Sequence, residues 1–401
     1  MHSRTLRPLC VLCASAVKRL FASFETNARL FCPQKPINKL TEPAYTVNAL
    51  DHGFAIDSAS LQTTLVAGDK TVYYESSEIP AAEAQMKLVS MKIGGVDRGG
   101  IVIGSEVLDV TALWEIIGQR GEWIEAFSES ANYRPLDGPY EDAIDLYTRY
   151  DDWLHRIVRR LSSDSDITAR CREWGALRPL DIARLNPPVI APGKILAVGL
   201  NYAAHAAEQN LQPPEFPLIF SKNVTALTGP GAGIVLPRIS DMVDYEAELA
   251  VVIGKEARSV SAERAFDYVA GYTIMNDVTA RDLQKNERQW TRAKGLDTFA
   301  PCGPWLVTKD EIPDPHSLDI ELRVNGELRQ SSNTNDLIFN VPQIIEFVSQ
   351  DLTLRPGDII STGTPSGVGV YRQPPVFLKG GEKIEITIGQ IGVLTNSVVV
   401  P

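Results

Sequence analysis

The sequence predicts an α+β fold, in which a small N-terminal α+β domain at residues 86–188 precedes a larger, mainly β domain at residues 189–401. Two observations support this prediction. The first region contains two segments with the helical spacing of apolar residues, and the second contains many short apolar runs separated by Gly and Pro. This punctuation is typical of a rolled or sandwich-like sheet, and not of a doubly wound one.

The first region combines strand and helix patterns. Residues 87–92 alternate between polar and apolar side chains, and a Gly-Gly pair at 99–100 precedes a second apolar run at 101–103. These features predict two strands joined by a turn. Helices are predicted at 108–117 and 142–161, the second with its apolar residues on one stripe.

The second region is predicted to consist mainly of strands. A strand at 195–199 is followed by a short helix at 201–210, which ends before a Pro-Pro pair. Further strands are predicted at 248–253, 268–275, 318–325, 358–361 and 383–388. No internal repeat interrupts this order.

Charge separates residues 1–39 from the rest of the chain. This segment is basic and holds one acidic residue, whereas the whole 401-residue chain has a formal net charge of −11. A basic, acid-poor start predicts a mitochondrial presequence. The alternatives are a disordered tail or a misassigned start codon, and in either case the protein would be cytoplasmic. Residues 40–85 show no clear period and are predicted to be a loosely ordered extension.

Composition argues against several classes of partner. The acidic balance is unlike that of a general nucleic-acid binder, which needs a basic face to neutralise phosphates. The apolar stretch at residues 9–17 is too short to span a bilayer, so no membrane partner is predicted. The five cysteines do not form the framework of a disulfide-rich protein. Because only one C-x-x-C pair is present, they also do not complete a zinc site.

The sharpest local feature is a pair of glutamates two residues apart, Glu246 and Glu248. In an extended segment both side chains point to the same face, where their charges repel. A third carboxylate, Asp277, follows the apolar run at 268–275. Oxygen-only ligands select hard cations, Mg²⁺ first, with Mn²⁺ or Ca²⁺ as alternatives. The competing interpretation is a solvated face with salt bridges.

Three segments in this order, 244–254, 271–282 and 361–369, resemble the signature of the fumarylacetoacetate hydrolase family. The resemblance runs from about Met86 to the C-terminus and is strongest from 195 to 399. Residues 323–326, 331–335 and 374–379 are similar to the domain-containing protein 2 branch of that family. The resemblance implies a β-roll catalytic domain, a metal held by Glu246, Glu248 and Asp277, and a homodimer.

A histidine and a glutamate three residues apart, His205 and Glu208, share one face if this segment is helical. A carboxylate beside an imidazole fixes its tautomer and suits it to act as a general base. A structural histidine is the alternative. The resemblance places the pair in the lid motif of the family and implies a catalytic role for both residues.

Four further residues are candidates through the resemblance. Arg281 and Gln284 follow Asp277 closely and are implied to bind substrate, with a surface ion pair of Arg281 as the alternative. Lys294 is implied to stabilise enolate charge. Thr364, in a Gly-rich loop whose backbone N–H groups can cradle an anion, is implied to bind the substrate carboxylate, with a plain β-turn as the alternative.

These parts predict an enzyme that acts on a small oxo acid. A metal-stabilised enolate supports three outcomes: tautomerisation of oxaloacetate, decarboxylation of a 3-oxo acid, and hydrolysis of a C–C bond in an acylpyruvate or fumarylacetoacetate-like diketone. The branch resemblance favours oxaloacetate enol–keto tautomerase. A non-catalytic metal-binding scaffold is the alternative from another class, and it would not require all of the candidate residues.

Overall fold

The computed structural model describes residues 63–67, 70–74, 85–120, 141–182 and 185–401. The predicted presequence and most of the predicted extension at 40–85 therefore lie outside the described residues. Strands β1 (Thr63–Ala67) and β2 (Lys70–Tyr74) make an antiparallel hairpin, in the first of the two units into which the chain divides. Residues 78–401 form a second compact unit, which contains the candidate site.

This second unit is built on a twelve-stranded sheet. Its main path runs β6-β5-β4-β3-β16-β14-β13-β19-β8-β9, with β10 beside β16 and β7 beside β3. The strands are β3 (Lys87–Ile93), β4 (Val96–Ile103), β5 (Glu106–Asp109), β6 (Leu177–Pro179), β7 (Leu185–Asn186), β8 (Ile195–Gly199), β9 (Leu218–Lys222), β10 (Leu227–Thr228), β13 (Ala247–Ile253), β14 (Val269–Asn276), β16 (Ala300–Thr308) and β19 (Ile359–Ser361).

A five-stranded sheet packs against this large sheet, in the order β11-β21-β20-β17-β18. Its strands are β11 (Gly233–Val235), β17 (Asp319–Val324), β18 (Glu327–Asn333), β20 (Lys383–Ile388) and β21 (Gly392–Val399). The short strands β12 (Val243–Asp244) and β15 (Thr279–Ala280) pair separately.

The α-helices lie around the sheets and at the candidate site. They are α1 (Val110–Arg120), α2 (Ala143–Ser163), α3 (Ser165–Glu173), α4 (Ala203–Glu208), α5 (Arg281–Asn286), α6 (Thr291–Lys294) and α7 (Val341–Ser349). Helix α2 contacts β3, β4 and β14. No helix among the described residues is long and apolar enough to cross a membrane.

Both faces of the central strands are covered. Strands β17, β20 and β21 contact β13, β14 and β16, and every residue of β13 and β14 is buried. A strand that is buried on both faces loses the polar alternation of a surface strand, which explains the nearly continuous apolar run from Leu249 to Ile253. Glu248 directly precedes this run and is also buried in the core.

The predicted α+β class is confirmed, and so are most predicted elements. The strands predicted at 195–199 and 383–388 have these bounds, and five others differ by one residue at one or both ends. The strand predicted at 101–103 begins five residues earlier, at Val96. The helix predicted from 108 begins only at Val110, because residues 106–109 pair as β5 and the Asp109 side chain then accepts the N–H of Ala112. An N-terminal acceptor of this kind defines a helix start.

The predicted boundary between residues 86–188 and 189–401 crosses the large sheet. Strand β3 from the first range pairs antiparallel with β16 from the second, with Leu88 opposite Leu306 and Lys87 opposite Val307. Both ranges thus contribute to one sheet within one compact unit. The domain division itself stays a prediction.

Candidate active site

Three carboxylates meet where the central strands begin and end. Glu246 directly precedes β13, Glu248 is its second residue, and Asp277 directly follows β14. Because β13 and β14 are antiparallel and Ala247 pairs with Asn276, the start of one strand lies beside the end of the other. One ligand oxygen from each of the three buried carboxylates lies within 4.8 Å of the others.

Two buried lysines contact this group. The Nζ of Lys294, at the end of α6, donates to Glu246 over 2.7 Å, to Asp277 over 2.6 Å and to the Thr279 hydroxyl over 2.9 Å. The Nζ of Lys222, at the end of β9, donates to the other oxygen of Asp277 and to the carbonyl of Lys294. Burial lowers the pKa of Lys222, whereas at Lys294 the nearby Asp277 and Glu246 outweigh the effect of burial and raise the pKa.

The pKa values of Glu246 and Glu248 are shifted in opposite directions. Burial, together with the charges of Asp277 and Glu246, raises the pKa of Glu248 to about 8. Burial acts in the same direction on Glu246, but Lys294 and Arg281 outweigh it and hold the pKa of that carboxyl well below its ordinary value. The structure thus concentrates more negative charge than the buried site accommodates with all carboxylates ionised.

Glu248 is held by neutral donors. Its Oε2 accepts hydrogen bonds from the Ser361 hydroxyl at 2.5 Å and from the backbone N–H of Gly363 at 2.9 Å. A cation bound by Glu246, Glu248 and Asp277 would relieve the repulsion among them, and an all-oxygen donor set suits a hard cation. These residues therefore fit the predicted Mg²⁺, with Mn²⁺ or Ca²⁺ as alternatives.

Arg281 is buried beside the carboxylates. Its Nε donates to Asp244 over 2.8 Å and its Nη1 donates to Gln284 over 3.0 Å. Its Nη2 forms an ion pair with Glu246 over 2.7 Å. Each Nη of a guanidinium carries two N–H groups, so Nη2 has a second donor that a substrate carboxylate can use.

The alternative, a surface ion pair of Arg281 with Asp282 or Glu287, does not form, because Arg281 is buried and its guanidinium pairs with Asp244 and Glu246. Asp282 accepts a hydrogen bond from the Ser240 hydroxyl over 2.6 Å. Glu287 pairs with Arg292, which lies at the exposed periphery.

The Gly-rich loop at residues 363–369 binds carboxylates of the protein itself. Three of its N–H groups donate at 2.9, 3.0 and 2.8 Å: Gly363 to Glu248, Gly367 to Glu208 and Gly369 to Asp244. Gly363 and Gly367 have φ angles of 104° and 101°, which glycine adopts without a steric penalty. These N–H groups position acidic side chains of the site, instead of forming an open cradle for an external anion.

Thr364 is buried in the same loop. Its hydroxyl accepts a hydrogen bond from the Gln330 amide over 2.8 Å, and the oxygen of that amide accepts the N–H of Ala247 over 2.9 Å. Gln330 therefore connects the loop to the start of β13, beside Glu246. A hydroxyl that accepts one bond retains its proton as a donor for another group.

His205 and Glu208 form a close pair on α4. The Nδ1 of His205 lies 2.6 Å from Glu208, whose other oxygen accepts the N–H of Gly367 over 3.0 Å. The N–H of Gly367 belongs to the same loop whose Gly363 N–H donates to Glu248, so this loop links the pair to the carboxylates. The structure brings α4 to the Gly-rich loop although about 160 residues separate them in sequence.

Three residues of this site had no predicted role: Lys222, Asp244 and Gln330. Asp244 accepts hydrogen bonds from Arg281 and from Gly369 of the loop. Because it lies inside the family signature, its sequence position could have identified it as a residue of the site. Lys222 ends an ordinary strand, where a lysine is normally solvated. Only the fold carries Lys222 into the core beside Asp277.

Replacement of Lys222 by methionine tests this buried ion pair. We expect Lys222→Met to lower the free energy of unfolding by about 3 kcal/mol, because Asp277 loses a cationic partner where water cannot replace it. Denaturant titration measures the change. The control is Lys255→Met at an exposed lysine, expected to change stability by less than about 0.5 kcal/mol. Equal effects of the two substitutions would contradict a stabilising role for the pair.

Comparison with known proteins agrees with this architecture. The family model described as "Fumarylacetoacetate (FAA) hydrolase C-terminal" matches residues 194–399. The chain is 54% identical over 214 residues to a Bos taurus protein named "Oxaloacetate tautomerase FAHD2B, mitochondrial", a match that covers 53% of this chain and 68% of the relative.

Solved structures share the fold over a longer range. A fumarylacetoacetate hydrolase from Exiguobacterium antarcticum is 35% identical, with a TM-score of 0.60, and covers 79% of this chain and 100% of its own. A maleylpyruvate hydrolase from Sphingobium is 37% identical, with a TM-score of 0.57 and the same two coverages. The chain therefore belongs to the fumarylacetoacetate hydrolase family of enzymes, within its domain-containing protein 2 branch.

Proposed function

We propose that this chain is a metal-dependent oxaloacetate enol–keto tautomerase. The observation that carries the proposal is the buried group of Glu246, Glu248 and Asp277, with Lys294 and Arg281 against it. The relative at 54% identity, which is named an oxaloacetate tautomerase, supports this reaction over others on the same site.

The three carboxylates would hold one hard divalent cation. When bound, Mg²⁺ would polarise the oxo group of the substrate, so that a neighbouring C–H becomes acidic. Glu246 and Asp277 also keep the cation site beside Lys294, which bonds to both. The hydrogen bonds from Ser361 and Gly363 orient Glu248. Such partners of a ligand fix its direction and strengthen binding.

The charges of the site suit an anionic substrate. Four acidic and three basic side chains are buried together: Asp244, Glu246, Glu248 and Asp277 with Lys222, Arg281 and Lys294. One negative charge remains if all are ionised, and a divalent cation reverses it to one positive charge. Oxaloacetate is a dianion and would be attracted to such a site. Arg281, Gln284 and Thr364 would bind its carboxylates, Arg281 through the second N–H of Nη2, whose nitrogen also pairs with Glu246.

Proton transfer would belong to His205 and Glu208. His205 takes a proton from the carbon next to the oxo group, and return of that proton to the oxygen completes the conversion of keto to enol form. Glu208 stabilises the protonated imidazole, since its carboxylate lies 2.6 Å from Nδ1. The positive charge of Lys294 disperses negative charge that develops on the oxygen.

Two other reactions use the same residues. A C–C bond hydrolase would use His205 to activate water, and a decarboxylase would lose CO₂ from the same substrate. The hydrolase names of the two structural neighbours support the first alternative. The alternative from another class is a non-catalytic metal-binding scaffold. Such a role would not require a buried lysine and a His–Glu pair around the same carboxylates.

A parallel assay with Mg²⁺ and with EDTA tests the proposal. We expect fast, Mg²⁺-dependent loss of enol-oxaloacetate absorbance without release of pyruvate, because proton transfer leaves the carbon skeleton intact. Removal of the cation should lower the rate by about 100-fold or more, since it supplies several kcal/mol of charge stabilisation. Metal-dependent pyruvate release from oxaloacetate or from acylpyruvates would favour decarboxylation or hydrolysis. Full activity in EDTA would exclude the metal assignment.

We also propose that the protein is mitochondrial and homodimeric. The basic segment at residues 1–39 and the mitochondrial name of the Bos taurus relative support this location. The dimer rests on the family resemblance alone. Cell fractionation and light scattering measure the two properties, and a cytoplasmic monomer would contradict both.

A further inference from the structure

Both ring nitrogens of His205 are engaged in the structure. Nδ1 lies 2.6 Å from Glu208, and Nε2 lies 3.0 Å from the side-chain amide nitrogen of Gln209. Gln209 is the C-cap residue of α4. Its amide oxygen in turn accepts the hydroxyl of Tyr371 over 2.9 Å, from the 3₁₀ turn Gly369–Tyr371. A chain of side-chain contacts thus runs from Tyr371 to Glu208 through the imidazole.

The donors and acceptors of this chain follow one consistent direction. An ionised carboxylate only accepts, so Glu208 assigns the proton of a neutral imidazole to Nδ1. Nε2 then has a lone pair, which accepts from the Gln209 amide N–H. The Gln209 oxygen is left to accept from Tyr371. This assignment follows from the hydrogen-bond network.

The contact has a consequence for catalysis, because Nε2 has one lone pair. A general base uses this lone pair to take its proton, and here the Gln209 amide already occupies it. His205 therefore reacts only after the Gln209–His205 hydrogen bond breaks. Helix α4 has six residues, and a helix this short has little stability without tertiary contacts. Small changes at its end can therefore break the bond.

We propose that Gln209 and Tyr371 are positioning residues that form a latch, which occupies the base nitrogen of His205 in the resting enzyme and releases it when substrate binds. Tyr371 acts through Gln209, and neither residue takes part in the chemical step. This inference rests on the proposed role of His205 in proton transfer. It adds a resting state in which the base is withheld until the substrate occupies the site.

Kinetics of the full-length enzyme with oxaloacetate test the latch. We expect Gln209→Leu to raise kcat/KM about 2- to 10-fold through a lower KM, with kcat unchanged, because the lost hydrogen bond stabilises only the free enzyme. Tyr371→Phe should change KM in the same direction by a smaller factor. The double variant should match Gln209→Leu, since Tyr371 acts through that amide.

The opposite kinetic results would overturn the latch. A lower kcat in Gln209→Leu would mean that the amide supports His205 during the reaction, and a higher KM would mean that it contacts substrate. Additive effects of the two substitutions would mean that Tyr371 acts by another route. The matched control is Gln350→Leu, at the exposed C-cap glutamine of α7, which should leave both constants unchanged.

Hydrogen–deuterium exchange separates the latch from the proposed function. In the full-length protein without substrate, Gln209→Leu should speed exchange of the α4 amides about 2- to 10-fold and leave β13 unchanged, because only local opening becomes easier. Unchanged exchange in α4 would overturn the latch whether or not the enzyme is a tautomerase. Faster exchange without tautomerase activity would retain the latch and refute the proposed reaction.

Discussion

Glu248→Gln is expected to lower the activity by about 100- to 10,000-fold, because the cation loses one of three charged ligands and with it several kcal/mol of transition-state stabilisation. The fold should survive this change. A glutamine oxygen can still accept the hydrogen bonds from Ser361 and Gly363. The substitution also removes the like-charge repulsion that, after burial, contributes most to raising the pKa of Glu248 to about 8.

Thermal unfolding measures the two effects separately. Without added metal, the Tm of Glu248→Gln should equal or exceed that of the unsubstituted protein. The increase in Tm on addition of Mg²⁺ should disappear, since a ligand stabilises the native state only by binding to it. A retained Mg²⁺-dependent increase in Tm would show that Glu248 is no ligand.

The control for metal binding lies in a second cluster of ligand groups. His155, Asp310 and Glu311 also bring their ligand atoms within 4.8 Å of one another, at a partly exposed position. Asp310→Asn should leave the Mg²⁺ response and the activity unchanged. Loss of the response in Asp310→Asn, with retention in Glu248→Gln, would assign the cation to the second cluster.

His205→Asn is expected to have a similarly large effect on activity. We expect kcat to fall by about 100- to 10,000-fold, the usual contribution of a positioned general base. The Mg²⁺-dependent increase in Tm should remain, because His205 is not among the proposed ligands of the cation. Glu208→Gln should lower kcat by a smaller factor, since an amide oxygen can still accept from Nδ1 but has no charge to stabilise an imidazolium.

The matched control is another histidine–acid pair. His155 lies 3.3 Å from Asp310 and is partly exposed. His155→Asn should leave kcat within about 2-fold of its original value, as expected for a surface substitution away from the site. Activity of His205→Asn within 3-fold of the original, roughly 0.7 kcal/mol of barrier, would remove His205 from the mechanism.

The sequence predicted the central strands well because a strand buried on both faces must be apolar along its length. No strand was predicted at β16 (Ala300–Thr308), where the Gly303-Pro304 pair is a local signal for a turn. Tertiary pairing with β14 and β3 overrides this local signal. The start of α1 was wrong for a similar reason, because pairing of β5 decided where the helix begins.

The sequence by itself determined the family of this protein, its α+β class and the candidate group of three carboxylates at the ends of two central strands. These features are encoded by residues that are close together in the sequence, through residue spacing, apolar runs and short motifs. Only the tertiary structure decided what surrounds the carboxylates. Lys222, Gln330 and the N–H groups of the Gly-rich loop reach the site from distant segments. Their roles depend on burial and on long-range contacts, which no local pattern encodes.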